Sequence, residues 1–188
     1  MKRCDWSEGD ELYIRYHDDE WGVPNHDDIK HFEFLILEGV QAGLSWLTVL
    51  KKRENYRKAY DDFDPTIIAE YSKNKIEQLM NDKGLIRNRK KIEASVNNAI
   101  RFLEIQDDYN SFDKYIWGYV DNKTIINTWK RIIDLPSKTK LSNEISNDLK
   151  FRGFKFVGST IIYSHMQAIG LVNDHIVDCF RYDQINKL

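Results

Sequence analysis

The most apolar stretch of the chain covers residues 32–50, and Glu38 lies in its middle. Apolar and small residues occur on all sides of the predicted helix, which indicates that this helix is buried on most sides. Burying an unpaired charge is very costly, so a carboxylate here must find partners or stay protonated. The stretch therefore predicts that Glu38 lies on the wall of an apolar ligand pocket. The alternative is a glutamate at a helix end whose carboxylate turns back to water.

The same stretch predicts two helices that meet at a corner. Gly43 can adopt a positive φ and end the first helix. Ser45 can then cap a second helix that runs from Trp46 through the basic residues 51–53. Glu38 and Trp46 are expected near this corner, where the indole of Trp46 would provide a flat stacking surface.

Length and composition argue for one large domain, or two small lobes that share a core, and against a membrane protein. The uncharged run 39–50 is shorter than the ~20 residues that a membrane span needs. A hydrophobic content of 41% supports one core, and the 13% of aromatic residues suits stacking pockets and aromatic cores equally. The formal charge of −2 does not favour a nucleic-acid binder, although a local basic patch would suffice for one. The polar start and the two cysteines predict a soluble, cytoplasmic protein.

Helix signals recur along the chain and predict an all-α fold of many short helices. N-cap residues predict helix starts at Asp27, at Asp64 (followed by Pro65), and before residues 73–81, 112–119 and 143–152, where the caps are Ser72, Ser111 and Ser142. Residues 124–126 resemble a strand, but an isolated strand has no partner. Apolar spacing predicts a further helix from residue 86, and its basic cluster 87–91 is interpreted as a solvated face.

A short turn between two predicted helices forms a candidate phosphate site. One helix is expected to end at Gly153, and the next to run from Ser159 to Ala168. Gly158 directly precedes the second helix, so free backbone N–H groups would point outward there. Arg152 and Lys155 add positive charge. Alone the signal is weak, because many helix–helix turns contain glycine.

Each of the two cysteines has a histidine at a spacing that suits a metal. His175 and Cys179 are four residues apart and would share one face of a helix. Cys4 and His17 could complete a tetrahedral site near the other end of the chain. Such a site would join the two termini and, with four protein ligands, would be structural. The alternative is two ordinary buried cysteines and two ordinary histidines.

Seven runs of sequence extend across the chain: 12–18 (LYIRYHD), 20–24 (EWGVP), 37–39 (LEG), 41–46 (QAGLSW), 48–57 (TVLKKRENYR), 152–158 (RGFKFVG) and 170–175 (GLVNDH). On these runs the chain closely resembles the DNA-3-methyladenine glycosylase I family, bacterial enzymes that remove 3-methyladenine from alkylated DNA. The resemblance covers essentially the whole sequence.

The resemblance implies an all-α helix-hairpin-helix glycosylase fold in which two helical lobes flank a cleft. Residues 1–188 would form a single domain, with the hairpin near residues 143–170. The implied cofactor is one structural Zn²⁺ that joins the N- and C-termini, held by Cys4, His17, His175 and Cys179. Double-stranded alkylated DNA would be the partner and free 3-methyladenine the product. We expect a monomer in the bacterial cytoplasm, without membrane contact.

The resemblance also implies roles for individual residues. Glu38 would be the catalytic residue and, with Tyr16, would hydrogen-bond the flipped base while Trp46 stacks on it. The base pocket would further include Trp6, Tyr13, Trp21 and Gln41. The DNA backbone would be held through the hairpin residues Gly153, Phe154, Lys155, Val157 and Gly158.

Two departures from the wider helix-hairpin-helix superfamily bear on the chemistry. Asn173 stands where most members carry a catalytic aspartate, and Asp174 is expected to cap a helix. Thr160 stands where members that also cut the strand carry a lysine. These departures imply a monofunctional hydrolase without a Schiff base. The missing aspartate is tolerable because an N3-alkylated adenine is cationic and leaves without needing a proton.

Two alternatives from other functional classes remain open. A zinc-stapled DNA-binding module would use the hairpin and the metal but would not need a glutamate in an apolar pocket. A structural helical protein would use Glu38 and the tryptophans as core residues. Binding of the free base separates the enzyme from both.

Overall fold

Helices make up most of the chain in the computed structural model, which describes residues 1–188. The α-helices are α1 (Glu11–Asp19), α2 (Asp28–Gln41), α3 (Trp46–Leu50), α4 (Arg53–Ala59), α5 (Pro65–Ala69), α6 (Lys73–Asn81), α7 (Arg89–Tyr109), α8 (Phe112–Gly118), α9 (Lys140–Phe151), α10 (Ser159–Ala168) and α11 (Phe180–Ile185). Short 3₁₀ helices cover Asp5–Ser7, Asp61–Phe63 and Ile132–Asp134. The prediction of a mostly helical chain is confirmed, and no helix is long and apolar enough to cross a bilayer.

Most of the predicted N-caps are confirmed by their hydrogen bonds. The side chains of Asp27, Asp64, Ser72 and Ser111 each accept a backbone N–H of the first helical turn. The prediction for Ser142 was wrong. Thr139 caps α9 three residues earlier, where its Oγ1 accepts the Ser142 N–H, and Oγ of Ser142 accepts the Thr139 N–H in a capping box.

Two other boundaries differ from the predictions. The helix expected from Trp46 through residues 51–53 stops at Leu50, and α4 starts at Arg53. This break turns Arg53 inward, where its guanidinium reaches Glu33 and Glu20 at 2.8 Å each. The helix expected from residue 86 begins instead at Arg89, behind Asn88 as N-cap.

The strand-like residues do have a partner, contrary to the sequence interpretation. Strand β1 (Ile125–Ile126) pairs in parallel with β2 (Val172–Asn173). The N–H of Ile125 donates to Leu171 O at 2.9 Å. The partner strand lies more than 40 residues further along the chain, so the local sequence around β1 does not reveal it.

Helix α2 runs through the centre of the molecule. It packs against α3, α7, α8 and α10, and it is buried from His31 to Val40. Lys91 on α7 donates its Nζ to the carbonyl oxygens of Val40 and Ala42 at 2.7 Å each. Lys91 therefore caps the C-terminus of α2, and the interpretation of the basic cluster as a solvated face was wrong for this residue.

A buried ion-pair network fixes α2 against α4. Burial alone would raise the pKa of Glu33, but hydrogen bonds and charge from Arg53, Arg57 and Lys30 lower it to about 2. The guanidinium of Arg53 also lies 4.9 Å from the centre of the Phe34 ring. The network therefore anchors α2 to α4 at a point five residues before Glu38.

Candidate active site

A cavity of about 220 Å³ opens where α1, α2, α3 and α10 meet. Half of its ten lining residues are aromatic. Its lining consists of Trp6, Tyr13, Tyr16, Trp21, Glu38, Gln41, Trp46, Leu135, Ser164 and Gln167. All seven residues predicted for the base pocket therefore line one cavity.

Three lining residues were not predicted from the sequence: Leu135, Ser164 and Gln167. Ser164 and Gln167 lie three apart on α10, so helical spacing after the hairpin could have suggested a shared face. Leu135 follows a 3₁₀ helix in an irregular stretch and carries no sequence signal.

Local sequence explains the corner that brings Glu38 and Trp46 together. Gly43 has a φ of +82°, as predicted, and α2 ends just before it. Ser45 caps α3 by accepting the Thr48 N–H, which makes Trp46 the first residue of that helix. The prediction of two helices meeting at a corner is confirmed.

The aromatic residues of the wall contact one another. Trp6 packs edge-on against Tyr13 and Trp21, with ring centres 5.6 and 5.0 Å apart. Tyr16 and Trp46 lie 5.4 Å apart. The hydroxyl of Tyr13 accepts the Leu47 N–H at 3.1 Å, which ties α1 to α3. The cavity therefore has rigid, apolar walls suited to a flat ligand.

Glu38 has no ion-pair partner in this cavity. Its side chain is 4% exposed, and its Oε2 makes no hydrogen bond. Burial raises its pKa to about 8. Nε1 of Trp46 is also buried without a partner. Two unsatisfied polar groups in one cavity are costly, and a ligand that hydrogen-bonds them would remove that cost.

Tyr16 lines the same cavity, close enough for the charge of Glu38 to affect its pKa. Burial, and then the charge of Glu38, raises its pKa well above the usual range. Its hydroxyl therefore stays protonated and can donate a hydrogen bond to a ligand.

The four predicted metal ligands lie together. Cys4, His17, His175 and Cys179 are all buried, and their ligand atoms lie within 4.8 Å of one another. The Sγ of Cys179 is 3.4 Å from His17 Nε2 and 3.5 Å from His175 Nδ1. A tetrahedral zinc with bonds of ~2.3 Å to sulfur and ~2.0–2.1 Å to nitrogen sets these spacings at about 3.5 Å. The donor set and its geometry fit such an ion.

The second nitrogen of each histidine ring already has an acceptor. His17 Nδ1 lies 2.8 Å from Asp18 Oδ1, and His175 Nε2 lies 2.9 Å from Trp21 O. These contacts fix the tautomers in which Nε2 of His17 and Nδ1 of His175 carry the lone pair that would bind a metal.

One detail of this cluster was predicted wrongly. His175 and Cys179 do not share a helix, because α11 begins only at Phe180. A turn brings them together instead, closed by the Cys179 N–H donating to Ile176 O at 2.8 Å.

Asp174 does not cap a helix as predicted. Its carboxylate is 1% exposed and accepts hydrogen bonds from four side chains, those of Asn127, Trp129, Tyr163 and Gln167. Asn173 lies outside the cavity wall, and its Nδ2 donates to Tyr182 O and to Asn186 Oδ1.

The turn between α9 and α10 exposes fewer N–H groups than the sequence suggested. The N–H groups of Gly153, Phe154 and Lys155 donate to Lys150 O, Leu149 O and Asn98 Oδ1. In contrast, the N–H groups of residues 156–161 make no hydrogen bond within the protein. The free donors therefore lie at Val157, Gly158 and their neighbours on the α10 side.

Side chains from two helices hold this turn rigid. The Asn98 amide bonds both the N–H and the C=O of Lys155, at 2.8 Å each. Ser146 donates to Val157 O at 2.6 Å. The turn also packs closely on α2, because a Cβ on Gly39 would lie 3.3 Å from the Cβ of Phe156. The turn and the helix that carries Glu38 are thus in direct contact.

Comparison with known proteins places this geometry in a family. A family model described as methyladenine glycosylase matches residues 6–182. The chain belongs to the methyladenine glycosylase family. The resemblance seen in the sequence is thereby confirmed.

Individual members of the methyladenine glycosylase family match along nearly their whole length. DNA-3-methyladenine glycosylase 1 of Escherichia coli is 48% identical over 97% of each chain. The Haemophilus influenzae DNA-3-methyladenine glycosylase is 48% identical over 94% of this chain and 96% of the relative.

Solved structures of methyladenine glycosylases share the fold. One 3-methyladenine DNA glycosylase I is 50% identical, with a TM-score of 0.92 over 95% of this chain and 98% of the other. The Staphylococcus aureus enzyme, whose structure addresses 3-methyladenine recognition, is 39% identical, with a TM-score of 0.92 over 96% of each chain.

Proposed function

We propose that this chain acts in base-excision DNA repair by hydrolysing the N-glycosidic bond of 3-methyladenine in alkylated DNA. One observation carries the proposal: an unpaired, buried Glu38 faces an aromatic cavity that also contains Tyr16 and Trp46. The relatives named for the same lesion support this choice of substrate.

The chemistry follows from the charge of the lesion. Adenine methylated at N3 is cationic within the nucleotide, so it leaves as a neutral base without accepting a proton. The enzyme needs to flip the base, hold it and admit water. The flipped base would stack on Trp46, with Glu38 accepting its N–H donors and Tyr16 donating to it. A cation beside Glu38 favours the ionised carboxylate, which would stabilise the oxocarbenium-like sugar in turn.

We further propose that the reaction is monofunctional. No lysine lines the cavity, so no amine is present there to form a Schiff base with the sugar. Thr160 stands in the first turn of α10. Water is then the nucleophile, and the abasic strand leaves uncut.

Release of free base from methylated duplex DNA tests the proposed function. We expect the wild-type chain to release 3-methyladenine, resolved by chromatography, and to leave 7-methylguanine in the DNA. A chain that binds the duplex without releasing any base would instead be a DNA-binding module. A chain that does neither would be a structural protein.

The turn between α9 and α10 is proposed to bind the DNA backbone as a helix-hairpin-helix element. Its free donors at residues 156–158 and at the α10 N-terminus suit a phosphate. Phe154 and Lys155 would contribute through position and charge, because their N–H groups are already bonded. The turn packs against Gly39 on α2, and this contact would keep a bound phosphate at a fixed position relative to Glu38.

Replacing Gly158 by proline is expected to weaken DNA binding by about 10- to 100-fold, the value of one hydrogen bond to a charged group. Gly158 has a φ of −62°, which proline adopts without strain, so the variant removes one N–H and little else. The measurement is the Kd for a duplex with an abasic-site analogue at fixed salt.

Gly158→Ala provides the matched control, since it keeps the N–H and its Cβ would contact nothing within 4 Å. We expect this variant to bind DNA within about threefold of wild type. Equal DNA affinities for the proline and alanine variants would show that the Gly158 N–H does not bind DNA.

The metal cluster is proposed to hold one structural Zn²⁺. Four protein ligands leave no open position for a substrate, so the ion would supply stability rather than chemistry. Cys4 and His17 come from the start of the chain, and His175 and Cys179 from its end, so the ion would close the whole of residues 1–188 into one domain. We propose that this domain acts as a monomer on DNA in the bacterial cytoplasm.

A further inference from the structure

The carboxylate of Asp174 organises one wall of the cavity. Its Oδ1 accepts hydrogen bonds from Asn127 Nδ2 and Trp129 Nε1, at 2.7 Å each. Its Oδ2 accepts from the Tyr163 hydroxyl at 2.6 Å and from Gln167 Nε2 at 2.7 Å. Of these four donors, only Gln167 also lines the cavity.

This contact fixes which way the Gln167 amide faces. Both oxygens of Asp174 accept hydrogen bonds, so the nitrogen of the amide must face Asp174. The Oε1 of Gln167 then faces away from Asp174 and makes no hydrogen bond with the protein. The main chain at this position is held as well, because the Gly22 N–H donates to Gln167 O at 2.9 Å. Asp174 takes one of the two N–H donors of Gln167 Nε2, and the amide orientation set by this contact leaves Oε1 as an acceptor on the side away from Asp174.

We propose that Gln167 is a specificity-determining residue that selects a purine with an amino group at its 6-position, and that Asp174 is the positioning residue that sets the orientation of the Gln167 amide. The inference rests on the proposed function and deepens it. Adenine carries an amino donor at its 6-position, whereas guanine carries an oxygen acceptor there. An acceptor locked in the wall pairs with the first and leaves the second with an unsatisfied, repelled oxygen.

Glu38 lies in the same cavity and would also accept from the base, but its hydrogen-bonding role depends on its protonation state. Burial raises the pKa of Glu38 to about 8, so in the empty cavity its carboxyl can donate as well as accept near neutral pH. The Gln167 amide does not titrate, and its Oε1 stays an acceptor. Gln167 therefore supplies the part of the selection between 6-amino and 6-oxo bases that does not depend on the protonation of Glu38.

Asp174→Asn should reverse that role. Trp129 can only donate, so the new amide must keep its oxygen toward Trp129 and Asn127 and turn its NH₂ toward Tyr163 and Gln167. The Tyr163 hydroxyl can rotate to accept. The Gln167 amide must flip so that its Oε1 accepts from this new NH₂ group, and the flip presents the NH₂ of Gln167 to the cavity. The wall then favours an oxygen at the 6-position.

The experiment measures the Kd of free 3-methyladenine and of free 3-methylguanine for wild type, Gln167→Met, Asp174→Asn and the double variant. Methionine keeps the length and volume of glutamine and removes only the amide. We expect Gln167→Met to lower the preference for 3-methyladenine by about tenfold, and Asp174→Asn to lower it further. The double variant should show the same preference as Gln167→Met, because Asp174→Asn acts through the Gln167 amide, which that variant lacks.

Several outcomes would overturn the inference. If Gln167→Met changes the preference for 3-methyladenine over 3-methylguanine by less than twofold, Gln167 does not select the base. This test does not depend on whether Asp174→Asn folds. Equal weakening of both bases in Asp174→Asn means that Asp174 is structural only. Because His175 follows Asp174, metal content and the circular dichroism spectrum are compared for every variant. Wild-type protein that binds neither base contradicts the proposed function itself, a result distinct from the others.

Discussion

Replacement of Glu38 by glutamine is expected to reduce 3-methyladenine release by at least about 10²-fold, the usual effect of removing one charge that stabilises a transition state. Glutamine has the shape of glutamate but presents an NH₂ group where the base needs an acceptor, and it carries no charge for the cationic sugar. Binding of free 3-methyladenine should weaken for the first of these reasons. The measurements are single-turnover base release and the Kd of the free base.

The same variant is expected to stabilise the fold at high pH. The pKa of Glu38 is raised by burial from 4.5 to about 8, so folding favours the protonated carboxyl. The contribution of the Glu38 carboxyl to the free energy of unfolding is complete below about pH 4.5. It is lost as the pH rises through about 8, and the loss amounts to up to about 5 kcal/mol. Glutamine does not titrate and avoids this loss. The free energy of unfolding of the variant should therefore exceed that of wild type increasingly between about pH 5 and about pH 9, as measured by urea denaturation.

A surface glutamate provides the control for this pH dependence. Glu77 is exposed and pairs with Arg89, so Glu77→Gln should run parallel to wild type between about pH 5 and about pH 9. A Glu38→Gln profile that also runs parallel to wild type would mean that Glu38 is ionised in the folded protein. Unchanged affinity for 3-methyladenine in Glu38→Gln would contradict its role in the base pocket.

Local features of the candidate site could be predicted from the sequence, because they depend on neighbouring residues. Gly43 ends a helix through its positive φ, and Ser45 caps the next through its own side chain. Those two residues suffice to bring Glu38 and Trp46 together. The prediction that Glu38 lies in an apolar pocket followed from residues within one or two helical turns of it.

Other features were not predictable, because their partners come from distant parts of the chain. Asp174 was assigned to a helix cap, yet its four donors lie between Asn127 and Gln167. Lys91 looked like a surface residue but caps α2 through two carbonyl oxygens. In both cases an ordinary polar residue acquires its role from tertiary packing, on which hydrophobic periodicity and capping rules carry no information.

Removal of the proposed Zn²⁺ from the cluster of Cys4, His17, His175 and Cys179 is expected to unfold the chain at ambient temperature. Structural zinc contributes about 10–16 kcal/mol in small zinc-dependent domains. A domain of this size has a total stability of only about 5–15 kcal/mol. Losing even part of the zinc contribution would therefore exceed the total free energy of unfolding of the domain. The measurements are zinc content by mass spectrometry and thermal unfolding with and without a chelator.

The cavity should lose its ligand together with the metal, because its wall rests on the metal cluster. The ring of Trp21 lies 4.6 Å from that of His175, and the ring of Trp6 lies 5.5 Å from that of His17. Cys4→Ser should thus lose zinc, melt at lower temperature and fail to bind 3-methyladenine. Asp178→Asn is the matched control, since its exposed side chain pairs with Lys2 and makes no hydrogen bond to any of the four cluster residues. Protein purified without zinc that keeps wild-type stability and base affinity would show that the four side chains are ordinary buried residues, and the tie between the termini would then rest on packing alone.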